Sequence, residues 1–389
     1  MPGRERADLV VWLTMVVFAV VGLSLLRGPG SLSATPFGLS AVAPGAPWLL
    51  ALAALAAAVA ILLREWMVRA PWPLLQLVGA VLTAVWTAAL VATRHSAFDG
   101  AEVGTFLGNG LSRWLSSVHV VAHWMPPVIV GLGAAGVCVL LNATVQSLSG
   151  AVQARRLVPL IVVNPAAALV ADGALVLSAL AVSGVLALSA MASERGRGLW
   201  WSTGLGLLSG VLLVASGFAG FAGTAAGVGM LCIYFLRRRS LMIIVAGLGT
   251  LGSLLVAAGV LGWSWPDEFG AASALLLGRP ENLSAAIVAA AVLVAAIGGP
   301  ALRESMRKVR GTPAWPILLT GVIAAFLAVL TRPVDLGILP AVAVWIPLLC
   351  VAASAPPRAA GAPSGPSPLG MALTAACGLA VAVAGLVLA

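Results

Sequence analysis

Residues 198–239 read GLWWSTGLGLLSGVLLVASGFAGFAGTAAGVGMLCIYFLRRR, an uncharged run of 39 residues (198–236) that is closed by three arginines. A membrane-spanning helix needs about 20 apolar residues, so this run is long enough for two crossings. The sequence Gly217-Phe218-Ala219-Gly220 in its middle is typical of a turn. We therefore expect 198–236 to fold as a hairpin of two helices.

The rest of the chain has the same apolar character. Of its 389 residues, 61% are hydrophobic and 8% are charged, whereas soluble domains have about 45–50% and about 25%. No water-soluble fold buries that much apolar surface, which excludes a secreted domain and a cytosolic enzyme. The net charge of +9 comes from 21 basic residues in short clusters between apolar runs, so it indicates membrane orientation and not binding of nucleic acid. The fold class that remains is all-α, a polytopic transmembrane helical bundle.

Counting the apolar runs gives the number of spans. Residues 157–192 form a second long stretch, of 36 residues without a basic residue, and Ala171-Asp172-Gly173 within it can turn. The other runs are each long enough for one span: 9–26, 47–63, 71–92, 124–142, 240–263, 283–302, 314–331, 337–354 and 369–388.

The distribution of arginine decides between one and two spans in 157–192. If both long stretches are hairpins, the chain has 13 spans with a cytoplasmic N-terminus, and 16 of the 21 basic residues lie in cytoplasmic segments. If 157–192 is a single span, Arg237–Arg239 and the 303–310 cluster lie outside, and the excess of basic residues in cytoplasmic segments disappears. We therefore expect about 13 spans (12–13), with both stretches folded as hairpins.

The domain organisation follows from the same map. Residues 1–354 form the transmembrane helical bundle, 355–368 form a flexible linker rich in Pro, Gly and Ala, and 369–389 form a C-terminal transmembrane helix. The first run is expected to be a retained span, because Leu26-Arg27 offers no small-residue cleavage pattern. The preference for Arg over Lys, with abundant Ala, Val and Gly, indicates a bacterial source and hence the plasma (inner) membrane, with a multi-pass topology.

Small residues predict where helices pack closely, since lipid supplies little hydrophobic drive between them. The densest set of glycines lies in 203–229 and includes the GxxxG pair Gly223 and Gly227. Further glycines follow in 240–263. We expect the helices of 198–236 and 240–263 to form the most closely packed part of the bundle.

The predicted outer segment 93–124 holds all three histidines of the chain. At 100° per residue, 109–124 places apolar residues on one face and polar residues on the other. This predicts an amphipathic interfacial helix anchored by Trp114, which ends where Trp124-Met125-Pro126-Pro127 turns the chain into the next span.

Three interpretations of this segment stay open. It can be a surface helix with a solvated polar face. It can be a substrate site in which Asp99, Glu102 and His95 act as acid or base, while Arg113, His119 and His123 bind a lipid-linked substrate. The spacing of His119 and His123 also suits a metal, but a site needs three or four ligands and few candidates exist to complete it. We expect no metal and no cofactor.

Asn164 and Asp172 are the remaining candidate substrate-binding residues. They lie in a Pro-interrupted apolar stretch, which is how some transporters build a site within the membrane. Other intramembrane charges are almost absent, which disfavours ion-coupled carriers. The sequence therefore favours a transporter or flippase-like protein for an apolar or lipid-linked solute. Alternatives are a membrane-embedded transferase at the outer leaflet and a non-catalytic subunit or scaffold, with membrane lipid and other membrane subunits as partners and no nucleic acid.

Overall fold

A computed structural model of the protein describes residues 69–92, 121–151, 173–219 and 221–264, with scattered residues in 6–17, 114–120, 154–158, 266–267 and 319–323. This described part is helical and contains no strand. A 3₁₀ helix, Phe221–Ala225, lies between the fourth and fifth α-helices. The α-helices are α1 Trp72–Ala92, α2 Met125–Ser149, α3 Gly173–Ala192, α4 Leu199–Ala219, α5 Ala226–Leu236 and α6 Ser240–Leu261.

Three helices in the described ranges are long and apolar enough to cross a membrane: Met125–Ser149, Leu199–Phe218 and Ser240–Leu261. Large apolar side chains such as Leu248, Leu251 and Leu255 on α6 are exposed on the outside of the bundle. In water such a surface would be costly, whereas lipid tails cover it at no penalty. The helices therefore fit an integral membrane protein.

The prediction that 198–236 folds as a hairpin of two helices is confirmed, but only its first arm is long enough to cross a membrane, since the second is the shorter apolar helix Gly223–Leu236. Helix α4 ends at Ala219, and the chain returns through the 3₁₀ helix into α5. At Gly223 a Cβ would collide with the carbonyl group of Ser216, so the turn brings the two arms together where only glycine fits. The predicted turn at 217–220 lies a few residues before the observed one.

Helices α2 and α3 run parallel, because their contacts advance together along both chains. Both helices therefore end at the same end of the bundle. Helix α3 begins at Gly173, the last residue of the predicted turn 171–173, while the predicted span 157–171 falls largely outside the described residues. The contacting pairs are Gly133 with Val176, Gly136 with Leu180, and Ser147 with Ala190.

The other helices are consistent with this arrangement. Helix α1 is antiparallel to α2, since the Gln76 amide donates to the carbonyl of Val139 at 3.5 Å and Ala84 lies against Gly131. Gln76 thus bonds across helices, as an isolated amide in a span is expected to do. All six helices meet at one end of the bundle, where α2, α3 and α5 end and α1, α4 and α6 begin. We call this the arginine end, after Arg195, Arg197 and Arg237–Arg239.

Glycine contacts support close packing of α4 against α6. A Cβ at Gly210 would overlap the carbonyl oxygen of Ala246, and one at Gly249 would overlap that of Leu207. Gly204 and Gly252, by contrast, have open space where a Cβ would lie. The close approach is confirmed, but it depends on particular glycines and not on all of them.

The outer helix predicted at 109–124 is described only in part. Trp114, Ser117, Val118, Val120 and Val121 are helical. The chain leaves this helix before Met125, and two prolines occupy the first positions of α2. The predicted break ahead of the span is therefore confirmed, and the rest of the segment lies outside the described residues. The same holds for most of 1–68 and 265–389, including the predicted linker 355–368 and the C-terminal helix 369–389.

Candidate functional site

A cleft of about 720 Å³ opens at the arginine end, between the ends of α2, α3 and α5. Its size is within the range of small-molecule sites, which measure about 300–1,000 Å³. The cleft combines helix-end residues with the short α3–α4 loop. It is lined by Ala143, Gln146, Ser147, Met191, Ser193, Glu194, Arg195, Arg197, Leu236 and Arg237.

The side chain of Arg237 joins three helices at the floor of this cleft. Its guanidinium donates to the carbonyl of Ser147 and, at 3.0 Å, to the carbonyl of Ala190. It also donates to the hydroxyls of Ser147 and Ser193, each at 3.4 Å. Carbonyls in the last turn of a helix have no partner within the helix, so one cation at the end of α5 caps both α2 and α3.

The backbone that positions Arg237 is a Schellman turn. The amide of Arg238 donates to Phe235 at 3.0 Å, and the amide of Arg239 donates to Tyr234 at 2.9 Å. This motif places one residue in the left-handed region, where glycine is usual. Here that residue is Arg238, with φ of 54°. Among the described residues it is the one non-glycine with positive φ, which the Schellman turn requires at this position.

Glu194 is the acidic residue of the cleft. Its carboxylate accepts from the Arg197 guanidinium at 2.6 Å, and its carbonyl accepts from Arg239 at 3.3 Å. Burial raises the pKa of Glu194, but hydrogen bonds from Ser147 and Arg197 and the charges of Arg197 and Arg237 outweigh it. The pKa therefore lies below its ordinary value, and the carboxylate is charged at neutral pH.

Burial lowers the pKa of Arg237, the charge of Glu194 raises it and that of Arg195 lowers it again. Arginine starts from so high a value that its guanidinium stays charged. The cleft thus holds three positive charges against one negative charge, an arrangement suited to an anion.

A polar path leads from the cleft into the bundle. The hydroxyl of Tyr234, the one tyrosine of the chain, lies 3.1 Å from that of Ser209. Ser189 is fully buried near the end of α3, and Ser193 lies one turn further toward Arg237. Ser209 is ten residues into α4, or about 15 Å from the start of the helix. Polar groups therefore reach about half of the 30 Å hydrocarbon thickness.

Exposed aromatic side chains lie at the same end of the bundle as the cleft. Trp200 and Trp201 at the start of α4 are 88% and 74% exposed, and Phe235 at the end of α5 is 76% exposed. Tryptophan at this position is typical of the boundary between lipid and water. This end of the bundle therefore has the residue composition of a membrane–water boundary.

Most sequence-predicted site residues lie outside the described part of the chain. His123 is described and is exposed in the turn before α2, at the opposite end from the cleft. Within the described ranges, no group of three or more His, Cys, Asp or Glu residues could hold a metal ion. The predicted residues that the structure does not describe are His95, Asp99, Glu102, Arg113, His119, Asn164 and Asp172.

The arginine cleft is absent from the sequence predictions of functional residues. The sequence assigns Arg195, Arg197 and Arg237–Arg239 to one membrane side, and the structure brings these two clusters together. That shared assignment is the signal that could have revealed the cleft. Comparison with protein-family models, with curated proteins and with solved structures finds no match for this chain.

Proposed function

We propose that the protein is a transporter or flippase-like protein for a lipid-linked solute in a bacterial plasma membrane. The observation that carries this proposal is the arginine-lined cleft, at the end of the bundle where exposed tryptophans begin α4. A lipid-linked solute that carries an anionic group meets three guanidinium groups there, next to exposed aromatic residues.

The predicted topology places the arginine end in the cytoplasm. A solute bound in the cleft would then be collected from the cytoplasmic leaflet. Beyond the cleft, the hydroxyls of Tyr234 and Ser209 lie 3.1 Å apart among apolar helices, and this pair is proposed as the start of a path for the polar group of the solute. Asn164 and Asp172 are proposed to continue such a path.

Reconstituted vesicles test this proposal. The full chain is placed in liposomes that contain a trace of NBD-labelled phosphatidylglycerol, and dithionite is added outside to reduce accessible probe. Without protein, about half of the fluorescence is protected, because the probe in the inner leaflet is unreachable. With protein, we expect the protected fraction to fall toward zero.

The matched control is a variant with Arg195→Gln and Arg197→Gln, which keeps the helices and removes two exposed charges from the cleft. We expect it to move the probe at least tenfold more slowly. A protected fraction equal to that of empty liposomes would refute transport of this lipid class and favour the scaffold alternative. Normal transport in the double variant would show that the cleft is not the entry point.

A further inference from the structure

Hydrogen bonding divides the three arginines of the cleft into two groups. Arg237 already donates to two carbonyls and two hydroxyls through its two terminal nitrogens, so most of its donors are committed to the protein. Arg195 and Arg197, in the α3–α4 loop, are exposed at the mouth of the cleft. Arg237 contributes charge, whereas the loop arginines have donors that a ligand can use.

Glu194 occupies one of those donors. Its carboxylate lies 2.6 Å from the Nε of Arg197, and both side chains are about one-third exposed. An ion pair this exposed contributes little stability, about 0–1 kcal/mol. A ligand with a stronger anionic group can therefore displace the carboxylate at small cost. Phosphate fits, because guanidinium groups bind its oxygens through two parallel hydrogen bonds.

The surroundings of the loop indicate that the phosphate belongs to a lipid. Trp200 and Trp201 follow Arg197 within four residues and are largely exposed, and Leu236 is an apolar residue of the cleft lining. An acyl chain can lie along these side chains while the headgroup enters the cleft. A free phosphate ion would gain nothing from them.

We propose that the cleft binds the phosphate group of an anionic lipid through Arg195 and Arg197, and that Glu194 holds Arg197 until the phosphate replaces it. This inference deepens the proposed function, since it names the recognised group and the residue that competes with it. Glu194 lowers the affinity of the site and keeps it closed to weaker anions.

Calorimetric titration of the full-length protein in maltoside micelles, which contain no phosphate, tests this inference. The probes are dioctanoyl phosphatidic acid, dioctanoylglycerol and inorganic phosphate. We expect phosphatidic acid to bind and dioctanoylglycerol not to bind. Inorganic phosphate should bind at least tenfold more weakly, because it lacks the acyl contacts. Equal affinity for inorganic phosphate and phosphatidic acid would overturn the lipid assignment.

Three variants locate the site. Arg195→Gln with Arg197→Gln should bind phosphatidic acid at least tenfold more weakly, as expected for the loss of charge-assisted hydrogen bonds. Glu194→Gln should bind it severalfold more tightly. Arg238→Gln, which removes a charge from the same end but not from the cleft, should stay within twofold of wild type. If the double variant does not fold, Arg195→Gln alone provides the test.

Unchanged affinity in the double variant, or weaker binding by Glu194→Gln, would overturn the inference. The result is distinguishable from a failure of transport, because binding is measured at equilibrium in micelles. Tight binding without lipid movement in vesicles would leave the site standing and refute the transporter. Lipid movement without binding in the cleft would support the transporter and refute the phosphate site.

Discussion

Replacing Arg237 by methionine should destabilise the helical bundle more than any other single arginine substitution at the arginine end. The guanidinium caps α2 through the carbonyl of Ser147 and α3 through the carbonyl of Ala190. A hydrogen bond to a charged group contributes about 1.5–3 kcal/mol. Two such bonds give about 3–6 kcal/mol, and the half-buried position of Arg237 together with the packing of methionine favours the lower value. We expect a loss of about 3 kcal/mol.

The assay is equilibrium unfolding of the purified protein in mixed micelles at increasing SDS, followed by circular dichroism. Arg237→Lys keeps the charge but lacks the planar guanidinium that reaches both carbonyls. Its loss of unfolding free energy should therefore be about half that of Arg237→Met. Arg238→Met is the matched control, because Arg238 is exposed. If the free energy of unfolding of Arg237→Met lies within about 0.5 kcal/mol of that of wild type, Arg237 does not cap α2 and α3.

Four further changes have defined outcomes. Gly210→Ala should cost about 1–3 kcal/mol in the same unfolding assay, since its Cβ overlaps a carbonyl of α6. Its control is Gly204→Ala, which should be neutral or stabilising because the added Cβ faces open space. Equal effects of the two variants would contradict the packing of α4 against α6. Tyr234→Phe should lose about 0.5–1.5 kcal/mol with its hydrogen bond to α4, and no loss would show that this bond is not formed. Arg238→Gly should stabilise by up to about 1 kcal/mol, because it relieves a positive φ; a destabilised variant would contradict this. The pKa of Glu194 is lowered on folding from its ordinary 4.5, so its contribution to stability is present above that pH and is lost as the pH falls through the folded pKa. The melting temperatures of wild type and Glu194→Gln should therefore converge as the pH falls below 4.5 and through the folded pKa. A difference that stays constant with pH would argue against this.

Hydropathy and turn residues predicted the described helices closely. The expected spans 71–92 and 240–263 correspond to α1 and α6 within two residues at each end. The expected end of the fourth span, 142, falls seven residues before the end of α2 at Ser149. Asn142 and Thr144 interrupt the apolar run, yet both are buried against neighbouring helices and stay helical. Tertiary burial of polar residues is not visible in a single sequence.

The role of Arg237 was beyond sequence reasoning for a related reason. In the sequence it is the first of three equivalent arginines after an apolar run, and all three are read as topology signals. The Schellman turn separates them, since it directs Arg237 toward the ends of α2 and α3 and leaves Arg238 exposed. Which arginine caps a neighbouring helix depends on a parallel α2–α3 pair, formed by residues more than 40 positions apart.

Side-specific thiol labelling tests the arrangement on which both proposals depend. In a variant lacking the four cysteines, single cysteines are introduced at Ala151, Gly198 and Ser240 at the arginine end, and at His123 at the opposite end. Labelling of intact cells with a membrane-impermeant maleimide should reach the His123→Cys variant and spare the other three until the cells are lysed. Labelling of Ala151→Cys and Gly198→Cys from opposite sides of the membrane would contradict the shared arginine end.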